Sequence, residues 1–197
     1  QVLQAAAEGI RVGAAINADL VDEDTARALG SATGDDAEDW DRRYAQQHQW
    51  WSGHPNATLV AEVADLEPGT ALDVGCGEGA DALWLAQRGW KVTANDISTV
   101  ALERTARAAA DAGVRVEVLA ADLTAEPVPV TYDLVTVHYP ALRHTPDDDA
   151  IGALLAAVAP GGTLLVVGHD FDGHEHHRPG FDPTEYVQPP DVARHLG

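Results

Sequence analysis

The sequence predicts an α/β domain built on an open, doubly wound, mostly parallel sheet. Two observations carry this expectation. From about residue 70 onward, strand-like and helix-like segments alternate: strand 70–75, helix 79–88, strand 91–95, helix 98–112, strand 114–119, strand 132–138, helix 147–158 and strand 162–168. Alternation with short connections is the pattern of parallel strands joined by crossover helices. Segments such as Leu134-Val135-Thr136-Val137 and Leu164-Leu165-Val166-Val167 are also nearly unbroken apolar runs, as expected of strands covered on both faces.

The upstream elements follow from local signals. Asn56 is placed to cap a helix that carries Leu59, Val60, Val63 and Leu66 and is stopped by Pro68-Gly69, since Asn is a good N-cap and Pro-Gly a good stop. Before it, Trp40, Tyr44, Trp50 and Trp51 crowd into one short stretch. Residues 1–29 are Ala-rich and helix-prone, and Gly30 to Gly34 with the acidic run from Asp35 to Asp41 reads as a linker. The expected organisation is an N-terminal helix and linker over 1–38 and the main domain over 39–197.

At 197 residues the chain is long enough for one well-buried α/β domain. Its 12 basic and 32 acidic residues give a net charge of −20. That sign repels phosphate backbones and disfavours nucleic acid as a partner. No stretch approaches the roughly 18 uninterrupted apolar residues of a membrane span, and residues 1–20 lack a signal-peptide pattern. The single cysteine, Cys76, excludes an internal disulfide framework and fits a reducing cytoplasm.

The most informative stretch is Leu72-Asp73-Val74-Gly75-Cys76-Gly77-Glu78-Gly79-Ala80, which follows a strand and opens a helix. Glycines there let the backbone turn sharply and approach a ligand, and the helix start behind them offers free N–H groups. Gly75-x-Gly77-x-x-Ala80 with Asp96 about 20 residues on also satisfies a loose dinucleotide fingerprint. A nicotinamide-dependent oxidoreductase is therefore a rival reading. Three features point away from it: Asp73 two residues before the first glycine, Ala121-Asp122-Leu123 after the third strand, and Ala159-Pro160-Gly161-Gly162-Thr163 leading into the fifth.

Together these motifs resemble the class I S-adenosylmethionine-dependent methyltransferases over about residues 39–170, with the tellurite-resistance and thiopurine-type small-molecule enzymes as the nearest groups. The resemblance implies a Rossmann-like sheet of order 3-2-1-4-5, S-adenosyl-L-methionine as cofactor and S-adenosyl-L-homocysteine as product. It implies that Gly75, Cys76 and Gly77 approach the methionyl part and that Asp73 organises the loop and the amino end. It further implies that Asp96 accepts the two ribose hydroxyls, that Ile97 packs on the adenine, that Asp122 accepts the adenine amino proton and that Leu123 covers the other ring face. Read from the residues alone, Asp96 is also a candidate cap for the helix near Ser98, and Asp122 a plain turn residue. Cys76 is not read as a nucleophile, because no nearby base is implied.

Ligands in open α/β sheets sit beyond the carboxyl ends of the strands. On the acceptor side this singles out His138, as a cofactor contact that doubles as a base or as a loop histidine without chemistry. After the fifth strand, His169 and Asp170 are candidate substrate contacts. The following His174, Glu175, His176 and His177 read as a polar loop, since neighbouring histidines do not converge on one ion; no metal ligands are assigned. Tyr44 and Trp51 are read as a lid over the cofactor, because aromatic faces attract a sulfonium, or as residues docking a helix on the sheet. The expected acceptor is a small molecule or metalloid. Asp-Pro-Pro-Tyr-type motifs of amino-methylating enzymes are absent from His138-Tyr139-Pro140.

Two expectations concern the ends of the sheet. The segment from Ala5 to Leu29 resembles the last helix of thioredoxin-reductase-like FAD oxidoreductases, which implies fusion to such a domain; the other reading is an amphipathic helix of no separate origin. The terminal strands six and seven usual in this fold are expected to be missing, because the Pro-rich tail after strand five offers only a helix start at Asp191 to Leu196. A non-catalytic cofactor-binding module is a third reading of the whole.

Overall fold

The computed structural model describes residues 3–7, 10–16, 36–125, 127–139, 141–168 and 182–196. In chain order the elements are β1 (Leu3–Ala7), β2 (Ile10–Ile16), α1 (Ala37–Gln46), α2 (Ala57–Val63), β3 (Thr70–Val74), α3 (Ala80–Gln87), β4 (Lys91–Asp96), α4 (Thr99–Asp111), β5 (Val116–Ala120), β6 (Tyr132–His138), α5 (Asp149–Ala156) and β7 (Val158–Gly168), followed by a 3-10 turn (Pro183–Glu185) and α6 (Pro189–Leu196).

The five strands expected from the alternating pattern are β3 to β7. They pair in parallel in the order β5-β4-β3-β6-β7, the 3-2-1-4-5 order expected when β3 counts as the first. Order of this kind follows from right-handed crossovers winding outward in both directions from β3, and it puts the ends of β3, β4 and β6 side by side at the crevice. Asn56 caps α2 by accepting the Thr58 N–H at 2.9 Å.

Both faces of the sheet are covered, which explains the apolar runs. On one face Leu72, Val135, Val137, Leu164 and Val166 pack with Ile151 and Leu154 of α5 and Val192 of α6. On the other, Ala71, Leu134, Leu165 and Val167 pack with Leu59 and Val63 of α2 and Ala82, Trp84 and Leu85 of α3. Neighbouring residues along β6 and β7 alternate between these two cores, so neither strand has a wet face.

The N-terminal region is a correction. Residues 3–7 and 10–16 are strands, not helix: β2 runs parallel to β7 in the register Val12↔Leu164, and β1 returns antiparallel to β2 in the register Ala5↔Val12. Alanine-rich sequence favours helix only weakly, whereas β7 would otherwise present a row of unpaired backbone groups. Backbone pairing at that edge therefore outweighs local propensity. The hairpin lies where the two terminal strands were expected to be missing. Beyond Gly168, the described residues contain the 3-10 turn and α6 but no strand. Of the linker expected over 30–41, residues 30–35 lie outside the described residues, whereas Asp36 caps α1 and residues 37–41 form its first turns. Among the described residues no helix is long and apolar enough to cross a membrane.

Leu134 is fully buried at the centre of β6. Leu134→Ala is expected to lower unfolding free energy by about 2–5 kcal/mol, measured as a shift in the urea midpoint at constant m-value.

Candidate cofactor and acceptor site

The glycine loop joins β3 to α3. Gly75, Gly77 and Gly79 all have positive φ, at 67°, 54° and 83°, a region that L side chains avoid. Each glycine also meets a different constraint on space. A Cβ on Gly79 would lie 2.6 Å from Thr105 Cγ2, and one on Gly77 would lie 3.0 Å from both Trp51 Nε1 and Tyr44 Oη. A Cβ on Gly75 would meet nothing within 4 Å. Gly75 therefore faces open space, while Gly77 and Gly79 are pressed by side chains from α1, the following turn and α4.

The loop is pinned from behind. Cys76 N–H donates to the Asn95 carbonyl at 2.9 Å, Gly77 N–H donates to Asp96 Oδ2 at 2.9 Å, and Thr105 Oγ1 donates to the Gly77 carbonyl at 3.0 Å. The other Asp96 oxygen accepts the Ser98 N–H at 2.8 Å. The cap of α4 is Ser98, whose hydroxyl oxygen accepts the Ala101 N–H at 3.1 Å, so Asp96 fixes the approach to the helix without capping it. Burial pushes the Asp96 carboxyl above its ordinary range, opposed by the amides of Ser98 and Gly77. Each of its oxygens carries one of these amide bonds, and the Ile97 amide also lowers the carboxyl, which leaves remaining acceptor capacity on the carboxylate.

This arrangement fits an adenosyl sulfonium. The open side at Gly75, at the carboxyl end of β3, adjoins the two-oxygen acceptor at Asp96 and half-buried Ile97 at the carboxyl end of β4. Asp122 is exposed, and its Oδ1 accepts both the Thr124 N–H at 2.9 Å and the Thr124 hydroxyl at 2.7 Å; the turn reading of Asp122 is thus satisfied by one oxygen alone. Leu123 is 5% exposed and belongs to the core under α5. Asn95 ties this region to the loop by donating to the Leu119 and Ala121 carbonyls at 3.0 and 2.9 Å.

Tyr44 and Trp51 meet over Gly77, with Trp51 Nε1 donating to Tyr44 Oη at 3.2 Å. Burial, and then the charge of Asp96, push the Tyr44 hydroxyl far above its ordinary value, so it stays neutral. Burial and the charges of Asp73 and Asp96 likewise raise the Cys76 thiol, in line with a cysteine that presents backbone and not a thiolate.

Sequence reasoning missed the groups that hold this aromatic cap. Glu78, inside the loop, accepts the N–H groups of Trp50 and Trp51 at 3.1 and 3.0 Å. Arg104 of α4 donates to Glu78 at 2.6 Å and to the Gln47 carbonyl at 2.7 Å. Asp41 of α1 accepts the Ser98 hydroxyl at 2.6 Å, the Val100 N–H at 3.1 Å and the Thr99 hydroxyl at 3.0 Å. Slight burial raises the Asp41 carboxyl, but these bonds outweigh it and the net direction is down. No periodicity marks such residues, because each acts across a long sequence separation.

A second polar group lies behind the loop. Asp73 is 2% exposed; its Oδ1 accepts the Thr136 hydroxyl at 3.0 Å, and its Oδ2 has no partner. Burial and the neighbouring Asp81 charge push it up to about 7 against the pull of His138 and Thr136. His138 Nδ1 lies 3.0 Å from Asp81 Oδ2 as an ion pair, and both ring nitrogens are shielded from solvent. Asp81 also accepts the Asn56 N–H at 2.6 Å. His169, Asp170 and the histidines from 174 to 177 lie outside the described residues, as does Pro140.

The fold and loop define a nucleoside-binding α/β domain with an acid at the end of the second strand. Known proteins make the class specific. Residues 71–162 match the family described as methyltransferase domain. The ubiquinone biosynthesis O-methyltransferase of Burkholderia multivorans is 34% identical over 74% of this chain and 75% of its own. The ribosomal RNA small subunit methyltransferase C of Alcanivorax borkumensis is 31% identical over 52% of this chain, which spans only 33% of that protein. Among solved structures, the chain described under "Conversion of a Disulfide Bond into a Thioacetal Group during Echinomycin Biosynthesis" is 29% identical with a TM-score of 0.57, covering 65% of this chain and 59% of that one. The chain belongs to the class I S-adenosylmethionine-dependent methyltransferases, as the motifs implied.

Arg104→Ala removes the charge that holds Glu78 and the Gln47 carbonyl together. It is expected to lower stability by about 1.5–3 kcal/mol and to shift tryptophan emission to longer wavelength as Trp50 and Trp51 gain water; an unchanged spectrum and midpoint would refute the latch.

Proposed function

We propose that the chain transfers a methyl group from S-adenosylmethionine to a small-molecule acceptor, and that the acceptor atom is sulfur. The observation that carries the cofactor reading is the Asp96 carboxylate, fixed by Gly77 and Ser98 with acceptor capacity remaining. The cofactor supplies an activated methyl on a sulfonium, so the protein's work is to orient, to exclude water and to accept a proton where the acceptor needs it. In this reading Gly75, Cys76 and Gly77 present backbone to the methionyl part, Asp73 steadies the loop, Ile97 and Leu123 border the adenine, and Asp122 meets the adenine edge through its unused oxygen. Tyr44 and Trp51 close over the sulfonium side, while His138 and His169 border the acceptor.

Support for a small molecule comes from the ubiquinone O-methyltransferase relative, of which the chain covers 75%, and from the net charge of −20, which opposes RNA. Support for sulfur comes from two directions. The solved relative concerned with conversion of a disulfide into a thioacetal is 29% identical. The described crevice also holds its own candidate proton acceptors in unsuited states. Tyr44 is neutral, and both His138 nitrogens are enclosed. A thiol, with an ordinary pKa near 8.5 against about 10 for a phenol, ionises with less help. The proposed compartment is the cytoplasm, where a lone half-buried cysteine stays reduced.

Asp96→Ala is expected to weaken S-adenosylhomocysteine binding by about 1–3 kcal/mol, the usual loss for charge-assisted hydrogen bonds, measured by isothermal titration; unchanged affinity would remove the ribose assignment. Because burial raises the Asp96 carboxyl, wild-type affinity should fall on acidification, starting above the ordinary aspartate value of 3.8. Release of S-adenosylhomocysteine should be fastest with thiols in a screen that also holds phenols, amines, tellurite and selenite. Binding without turnover on any of them would favour a cofactor-sensing module.

A further inference from the structure

The polar cluster behind the glycine loop draws ligands from three elements: Asp73 from β3, Asp81 from the first turn of α3 and His138 from the end of β6. One ligand atom from each lies within 4.8 Å of the other two. Two carboxylates this close in a shielded place repel one another, and each loses most of its hydration. His138 Nδ1 stands 3.0 Å from Asp81 Oδ2 as an ion pair, but hydrogen bonds leave the cluster incomplete. Asp73 Oδ2 and both His138 nitrogens lack a hydrogen-bond partner although they are buried. The Asp73 residue is 2% exposed and the His138 side chain 9%. The remaining acceptors are spoken for, Asp73 Oδ1 by Thr136 and Asp81 Oδ1 by the Asn56 amide.

A divalent cation accounts for all three features at once. It neutralises the paired carboxylates, takes the oxygen of Asp73 that no hydrogen bond engages, and binds an imidazole nitrogen in the same condition. We propose that Asp73, Asp81 and His138 form a binding site for one divalent cation of borderline type, Zn2+ or Mn2+, with two carboxylate oxygens and one imidazole nitrogen as protein ligands. Such a donor set suits these ions better than Ca2+, which prefers six to eight oxygens. Bonds of about 2.0–2.2 Å would draw the ligand atoms somewhat closer than their present spacing, a shift that χ rotation of Asp81 and His138 supplies. The Thr136 hydroxyl on Asp73 and the Asn56 amide on Asp81 are the outer partners that orient the ligands. The set escaped the sequence reading because its members are neither close in sequence nor on one element, while the conspicuous histidines after β7 drew attention.

The test is a titration of the chelator-treated full chain with Zn2+, Mn2+ and Mg2+ by calorimetry, with Co2+ absorption to report ligand type. Expected are one equivalent of Zn2+ or Mn2+ bound and Mg2+ at least tenfold weaker. Asp81→Asn and His138→Gln should each weaken binding at least tenfold. Asp81→Asn keeps an acceptor for the Asn56 amide, and circular dichroism checks that both variants fold. The triple variant His174→Ala, His176→Ala, His177→Ala should bind as the wild type does. No saturable site, or a site lost in the triple variant and retained in Asp81→Asn and His138→Gln, overturns the proposal. The readout does not involve methyl transfer, so it stands or falls independently of the acceptor reading.

Discussion

Asp96 accepts the Gly77 amide through one oxygen and the Ser98 amide through the other, so a single buried carboxylate ties the glycine loop to the start of α4. Three consequences follow from that tie. The loop is held in its positive-φ path with the open side at Gly75 outward. The end of β4 is fixed against the end of β3, so the sheet's switch point becomes a defined cleft. The carboxylate itself is fixed by two backbone amides, so any ligand that meets it costs little further side-chain freedom.

Around this joint the protein adds a second layer that is as polar as the first is backbone-based. Asp41, Glu78 and Arg104 bind the segment from α1 to Trp51 down on the loop, chiefly through main-chain groups of their targets. Charged side chains bonded to amides and carbonyls act at short range and are little affected by the other charges of an acidic chain. The bonds that hold this aromatic cap lie outside both hydrophobic cores, although Tyr44 within it is itself buried.

The sheet was legible in the sequence because its information is local. Apolar runs at β6 and β7, the cap at Asn56, and glycines at 75, 77 and 79 each speak for their own few residues, and parallel topology follows from the alternation. Asp96 was legible because its position is defined by a strand end and a fixed distance from the loop. Residues 3–16 were not: their composition favours helix, and only the free edge of β7, remote in sequence, makes them strands. Glu78, Arg104 and Asp81 were invisible for the same reason. Each is an ordinary charged residue until the fold brings it to a main-chain group or another acid, and no spacing rule encodes that meeting.

The distribution of charge bears on turnover as well as on binding. The Asp96 charge acts on Cys76 in the loop, within a chain whose net charge is −20. A sulfonium entering such a place carries a positive charge that the thioether left after methyl transfer lacks. A unit charge about 10 Å from one carboxylate gains about 0.4 kcal/mol at the dielectric of water and about 1.7 kcal/mol at an effective value of 20. One such carboxylate at that distance therefore favours cofactor over product by a factor that matters, since about 1.4 kcal/mol is tenfold. The same field repels an anionic acceptor and leaves neutral or cationic ones unhindered. An acidic cleft is thus consistent with a thiol that enters protonated and loses its proton only beside the sulfonium, where the positive charge lowers its cost.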